Sequence, residues 1–434
     1  MTEAFSGFRA AEVKGIPVFW LRDLRFKTFR LTLTARRTLD ERAAARSLLA
    51  GLLLEGTTVD PDRPTLARRM ESLYGAVVAP GTGKIGESHR LRFALDCVAG
   101  DYLPGQPDQL GEGLRFLTEV LSQPRLDGDG FPEEVFVRER RQAADAVRAL
   151  FDDKAAYAWQ QAVSGACEGE PMAIPEHGGV EAIEALDRHA PETARQDFLA
   201  HGQMCVLAMG VLPEDDQQLL THIEGFVDAL PKLSPEPVPA VTERQQSERR
   251  QQVERVDLQQ SKLVLVFRVP CTQDPELWMA RRLLVSMLGG GPHSRLFREV
   301  REKQSLAYYA HSTLDRHKGL MMVQVGLDEN SATEVESETC KQLEELRSGS
   351  FTAKELETAR AGLLSSLATI DDSIASRMGF VEEHWVLGLD RTPQTLADAY
   401  RGVAADEVAG SFDGVWLDYC YLLAPRNAGN GGGS

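Results

Sequence analysis

A chain of 434 residues with 48 Lys and Arg against 65 Asp and Glu carries a formal net charge of −17. At 43% hydrophobic and 26% charged residues it has a globular composition, and it is too long for a single hydrophobic core. An acidic excess of this size repels nucleic acid and anionic membrane, so peptides or other proteins are the natural partners.

The first stretch, MTEAFSGFRAAEVKGIPVFW, lacks the basic start and apolar run of a signal peptide. No segment approaches the ~20 apolar residues of a bilayer span. The six cysteines, Cys97, Cys167, Cys205, Cys271, Cys340 and Cys420, are scattered and read as reduced, mostly buried small hydrophobes. A cytoplasmic protein is expected. The tail NAGNGGGS (427–434) reads as a flexible extension outside the fold.

Along the chain, FKTFRLTLTA reads as a strand and RSLLAGLLLEGT as a short apolar helix. From Leu66 the sequence LARRMESLYGAVVAPGTGKIGESHRLRFALD gives a charged helix end, a small-residue corner, a strand, a polar turn and an alternating strand closing on Asp96. From Phe131 an amphipathic helix with an acidic start runs to Asp152-Asp153. HAPETARQDF then leads into the apolar strand MCVLAMG. The stretch PKLSPEPVPAVTERQQSERRQQVERVD, with four prolines and then a charged run, fits an exposed linker.

The second half repeats this order. KLVLVFRVPC is a strand, and LFREVREKQSLAYYAHSTLDRHKGLMMVQVGLD repeats the helix end, corner and strand pair, closing on Asp328. FTAKELETARAGLLSSLATIDD answers the first long helix and ends on Asp371-Asp372. VAADEVAGSF before DYCYLLA answers the last strand. The fold expected is α+β: two homologous domains, each an antiparallel-rich sheet layered with helices, closing as a clamshell. The boundaries expected are 1–230 for the first domain, 231–256 for the linker and 257–426 for the second domain.

Several places invite a functional reading. Arg301 and Tyr308 stand seven residues apart, either as an ordinary helix end running into a strand or as a site. Gly289, Gly290 and Gly291 read equally as a helix end with a flexible corner and as a close backbone approach to a bound peptide, with Ser294 nearby. Tyr157 and Trp159 read as packing of a long helix. FVEEHWVL, with a single histidine, reads as a solvated helix face. The nine histidines show no paired i, i+4 spacing.

GGGPHSRLFREVREKQSLAYYAHS closely resembles the C-terminal-domain signature of pitrilysin-type zinc peptidases, the family of insulysin and the mitochondrial processing peptidase. The resemblance covers essentially the whole chain and is strongest to the short bacterial form that works as two subunits. DDKAAYAWQQAVSGACEGEPMAIPEHGGVEAI and LYGA are similar to the non-catalytic subunit associated with elongation-factor-P modification.

Members of this family hold zinc through His-x-x-Glu-His on the first long helix, followed by Gly-Thr, with a further Glu on a later helix. Two histidines at i and i+4 share one helix face, and the Glu between them acts as base on the metal-bound water. Counted back from Gly56-Thr57, the corresponding positions here hold Ser47, Ala50 and Gly51, and the third-ligand position falls near Asp145 or Ala146. The resemblance therefore implies a chain without zinc of its own, the metal being expected in a homologous partner subunit with His-x-x-Glu-His. It also implies that Arg301 and Tyr308 complete that partner's active site, with a peptide as substrate. Water attack on a peptide carbonyl builds charge on oxygen, which a phenol O–H and a guanidinium can stabilise. A catalytically silent peptide-binding or structural scaffold is the alternative.

Overall fold

The protein is described here by a computed structural model covering residues 3–239, 241–271 and 274–426. It contains two mixed sheets layered with helices. The first is built from β1 (Glu3–Phe5), β2 (Phe8–Val13), β3 (Ile16–Arg22), β4 (Thr28–Thr38), β5 (Val77–Ile85), β6 (Ser88–Val98) and β7 (Gln203–Gly210). Its strand order is β1-β2-β3-β7-β4-β6-β5. The second comprises β8 (Arg250–Val256), β9 (Ser261–Arg268), β10 (Ala307–Asp315), β11 (Leu320–Leu327) and β12 (Trp416–Pro425). Its order is β10-β11-β9-β12-β8.

Read backwards, the second order matches the first strand for strand once the β1–β2 hairpin is set aside. The pairing senses agree too: β3 with β7 and β8 with β12 are the parallel pairs, and every other pair is antiparallel. The repeat seen in the sequence is thus a repeat of topology. Strand β8 lies within 231–256, the stretch the prolines and charges suggest as linker. Residues 250–256 are polar and mostly exposed, with only Val256 buried, yet the backbone pairs with β12 as a parallel edge strand.

Each sheet has one face on a large apolar cluster. Leu31, Leu33, Ala35, Leu91, Phe93 and Leu95 serve the first, and Leu263, Leu265, Phe267, Met321, Val323 and Val325 the second. Alternation along the strand produces this division, because successive side chains point to opposite faces. Among the described residues no helix is long and apolar enough to cross a membrane. All six cysteines are free thiols, four of them buried (Cys97, Cys167, Cys205 and Cys420).

The compact units are not contiguous in sequence. One comprises Met1–Arg148, Ile174–Ala240 and Ile370–Thr392, and the other Ala149–Ala173, Val241–Thr369 and Pro393–Ser434. Each half therefore lends a helix to the unit dominated by the other. Helix Lys154–Ala166 covers the outer face of the second sheet, where Ala158, Ala162 and Ala166 pack on Val264, Val266, Tyr419 and Tyr421. Alanines four apart form a smooth helical stripe that lets the backbone approach closely. Helix Ile374–Leu387 packs on β4 and β7 of the first sheet. The Asp-Asp pairs mark the two corners. Asp153 caps the first exchanged helix, accepting from Ala155 N and Ala156 N at 3.0 Å. Ser373, following Asp372, caps the second by accepting from Ser376 N at 3.1 Å.

Candidate active-site half around Arg301 and Tyr308

Helix Pro275–Gly289 begins at Asp274, whose side chain accepts from Glu276 N at 2.9 Å. It ends against β10. A Cβ on Gly289 would lie 2.5 Å from Ser312 N, and Ser312 Oγ donates to Val285 O at 2.8 Å. A Cβ on Gly290 would lie 2.6 Å from Ser286 O. These two glycines serve packing. Gly291 differs: its φ of +150° is one that L side chains rarely adopt, and the space beyond it is open. Ser294 is buried, and its hydroxyl accepts from Phe297 N at 3.4 Å, so it starts the next segment and does not line a surface.

That segment, Leu296–Lys303, is π-helical. Leu296 and Val300 turn inward, and Arg295 fastens the start through Glu355 at 3.1 Å and Glu345 at 2.9 Å. The wide winding ends in two bonds, Gln304 N to Glu299 O at 3.3 Å and Leu306 N to Val300 O at 2.9 Å. Between them Ser305 has φ +52°, a conformation costly for a residue with a side chain. Strand β10 follows on the sheet edge, and its register breaks at once: Ala307 pairs with Leu327 but Tyr309 with Gly326. Tyr308 is the extra residue of a β-bulge, which re-aims a side chain.

Three irregularities within a dozen residues thus bracket one Arg–Tyr pair. π-Turns, left-handed non-glycine residues and edge bulges are each associated with functional sites. Tyr308 is 64% exposed, and its hydroxyl has no hydrogen-bond partner among the described residues. Arg301 is also exposed, with its guanidinium carbon 4.6 Å from the centre of the Phe297 ring and no ion pair among the described residues. Both polar ends are available to a ligand. Tyr309, the next residue, is a control: it lies half-buried over Gly326, and burial pushes its phenol up to about 12.

The zinc positions are composed differently. Ser47 Oγ donates back to Ala44 O at 2.8 Å on helix Ala43–Leu52, and neither Ala50 nor Gly51 has a donor atom in its side chain. A Cβ on Gly51 would collide with Glu139 Oε2, so the carboxylate of Glu139 occupies the space an imidazole would need. Asp145 points to solvent and pairs with Arg148 at 3.0 Å. Among the described residues no group of three or more His, Cys, Asp and Glu side chains could hold a metal ion. The residues present do not fit a zinc ion at this place.

One other expectation changes and one holds. FVEEHWVL is not a solvated face. Glu382 and His384 are buried, Glu382 pairs with Arg90 at 3.2 Å, and His384 Nδ1 lies 2.8 Å from Phe380 O. The burial comes from the unit exchange, which local periodicity does not encode. Tyr157 and Trp159 do pack, as expected. The Tyr157 hydroxyl bonds Glu254 at 3.0 Å, and the Trp159 ring stacks on His311 at 6.2 Å between centroids.

Several known proteins resemble this chain in sequence and fold. Residues 193–363 match the family described as peptidase M16 inactive domain. The chain is 24% identical over 414 residues to the probable inactive metalloprotease YmfF of Bacillus subtilis (strain 168), covering 94% of this chain and 96% of that protein. A conserved protein from Enterococcus faecalis V583 superimposes with a TM-score of 0.90 at 25% identity, covering 96% of this chain and 99% of that one. A peptidase M16 inactive domain from Pseudomonas fluorescens shares the fold with a TM-score of 0.76 at 19% identity, over 96% and 98% of the two chains. Residues 193–363 thus match the peptidase M16 inactive domain, and the chain as a whole shares the fold of the M16 inactive domain from Pseudomonas fluorescens.

Proposed function

We propose that this chain is the non-catalytic subunit of a heterodimeric zinc peptidase. A homologous partner supplies His-x-x-Glu-His and the metal, and this chain supplies Arg301, Tyr308 and part of the wall of the peptide-binding cleft. The observation that carries the reading is the pairing of an exposed, unpartnered phenol and guanidinium, held by a π-turn and a bulge, with a zinc position that offers no ligand. A scaffold gains nothing from backbone strain that presents Tyr308 outward. In the assembled site the Tyr308 hydroxyl donates to the oxygen of the scissile carbonyl as charge builds there, and Arg301 grips the peptide backbone. Gly291 keeps the part of a close backbone contact to peptide. The two homologous halves are then 1–230 and a second half that begins at β8, with the stretch before it as the connection.

Complementation tests this. The chain is mixed one-to-one with a purified homologue bearing His-x-x-Glu-His, and complex formation and peptide turnover are followed by light scattering and a fluorogenic peptide. A 1:1 complex with turnover absent from either protein alone is expected. No complex at micromolar concentrations, with flat turnover, would favour the scaffold.

A further inference from the structure

The second face of the seven-stranded sheet holds a concentration of positive charge at odds with the rest of this acidic protein. Along β4, Arg30, Thr32, Thr34 and Arg36 alternate with the core residues, and the register sets them opposite Asp96, Ala94, Arg92 and Arg90 of β6. Arg30 and Asp96 close on each other through two bonds of 2.7 and 2.6 Å. Among the described residues the other three arginines have one carboxylate between them. Glu382 lies 3.2 Å from Arg90 and 3.9 Å from the Nε of Arg92, while Arg36 has only the Gln203 side chain at 3.1 Å and the Trp385 ring, 5.3 Å from its guanidinium carbon. Three guanidiniums against one carboxylate leave an excess of two positive charges.

These charges are partly withdrawn from water. The side chains of Arg90 and Arg92 keep only 28% and 25% of their exposure, and burial pulls the pKa values of Arg36 and Arg92 down. Arg92 makes no hydrogen bond among the described residues, and the Nε atoms of Arg90 and Arg92 and the hydroxyls of Thr32 and Thr34 are buried without partners. Half-buried cations without counter-charges oppose folding unless something else compensates them. A chain with 65 acidic residues had carboxylates to place there and did not. On the β5 side Gly81 and Gly83 sit opposite Arg92 and Arg90; a Cβ on Gly83 would lie 3.0 Å from the Arg90 guanidinium, but one on Gly81 would meet nothing within 4 Å, so access is open beside Arg92.

We infer that this face binds a carboxylate of an extended peptide, from a side chain or the C-terminus, with Arg92 as the principal contact and Arg36 and Arg90 flanking it. The inference rests on the peptide-binding reading above and adds the substrate class, peptides that carry negative charge. A planar guanidinium fork matches a carboxylate through two parallel bonds, which suits an arginine left with its donors unused.

The test is peptide binding to the full chain alone, by fluorescence anisotropy, with three labelled decapeptides of equal length. One carries Asp and Glu with an amidated C-terminus, one is its Asn/Gln isostere with an amidated C-terminus, and one is that isostere with a free C-terminus. At least one carboxylate-bearing peptide should bind about tenfold more tightly than the amidated isostere, with the gap narrowing at high salt. Which one does so identifies the source of the carboxylate. Arg92→Gln should abolish that gap without lowering the melting temperature, because it lowers the excess of guanidiniums over the one carboxylate and leaves Glu382 paired with Arg90. Equal binding of all three, or binding of none, overturns the inference, as does an Arg92→Gln protein that melts lower and keeps its selectivity. Equal binding would leave the subunit reading intact, whereas failed complementation beside acid-selective binding would remove that reading alone.

Discussion

Glu170 Oε2 and Lys318 Nζ lie 2.6 Å apart inside the second unit, joining the segment lent by the first half to the β10–β11 turn of the second. Arg268 adds a 2.7 Å bond to the same carboxylate and a 2.9 Å bond to Asp418, which Arg250 meets at 3.0 Å. Burial alone would raise the Glu170 pKa, but hydrogen bonds from Arg268 and Lys318 outweigh it and hold the carboxyl below its usual range. This network fixes the end of the exchanged helix to its sheet.

Glu170→Gln keeps the shape and removes the charge, leaving Lys318 and Arg268 short of their counter-ion in the interior. Breaking a buried pair in this way costs roughly 3–5 kcal/mol. A urea titration should show an early transition for the second unit. A midpoint equal to wild type would mean the network is not holding the exchange.

His89 is fully buried on β6, and burial, with the neighbouring Arg46 guanidinium, pushes its pKa down to about 3. Its folded-state pKa lies below the unfolded value, so the unfolded chain binds the extra proton between about pH 6.5 and pH 3. Stability is therefore fully present above that window and falls as pH drops through it, by up to about 1.4 kcal/mol per pH unit. Melting temperatures from pH 7 to 4 should decline more steeply for wild type than for His89→Gln. Parallel curves would remove His89 from the acid response.

Much of this was legible in the sequence, and what was not has a common cause. β4, β6, β7, β9, β11 and β12 show as alternating or apolar runs, and the Phe131 and Phe351 helices begin and end where caps and Asp-Asp pairs suggest. Arg301 and Tyr308 stand out in the sequence by spacing and resemblance, but the left-handed Ser305 and the bulge at Tyr308 are backbone events with no residue signature. The helix exchange was invisible because each exchanged helix looks the same whichever sheet it covers. Burial of Glu382 and His384, and the arginine face of β4 and β6, follow from that exchange.

Purified from zinc-containing medium and assayed by mass spectrometry, the chain should carry well under one zinc per molecule and cleave no peptide. The reasons are the ligand-free Ser47, Ala50 and Gly51 and the Glu139 carboxylate beside Gly51. About one tightly held zinc with chelator-sensitive proteolysis would contradict this.

Arg301→Ala should raise KM and lower kcat of the reconstituted pair, because the guanidinium grips substrate as well as charge. Arg301→Lys should recover little, since an ammonium cannot reproduce the planar fork. Full recovery by lysine would reduce Arg301 to a point charge.

The most direct measurement is steady-state kinetics of the reconstituted pair carrying Tyr308→Phe. The substitution removes one exposed hydroxyl and keeps the ring, so heterodimer formation and melting temperature should match wild type. If that hydroxyl donates to the developing oxyanion, kcat should fall by roughly 10²–10³, the cost of one such donor. A Tyr308→Phe pair with wild-type kcat and KM would contradict the account, and would make the bulge at Tyr308 a feature of the sheet edge alone.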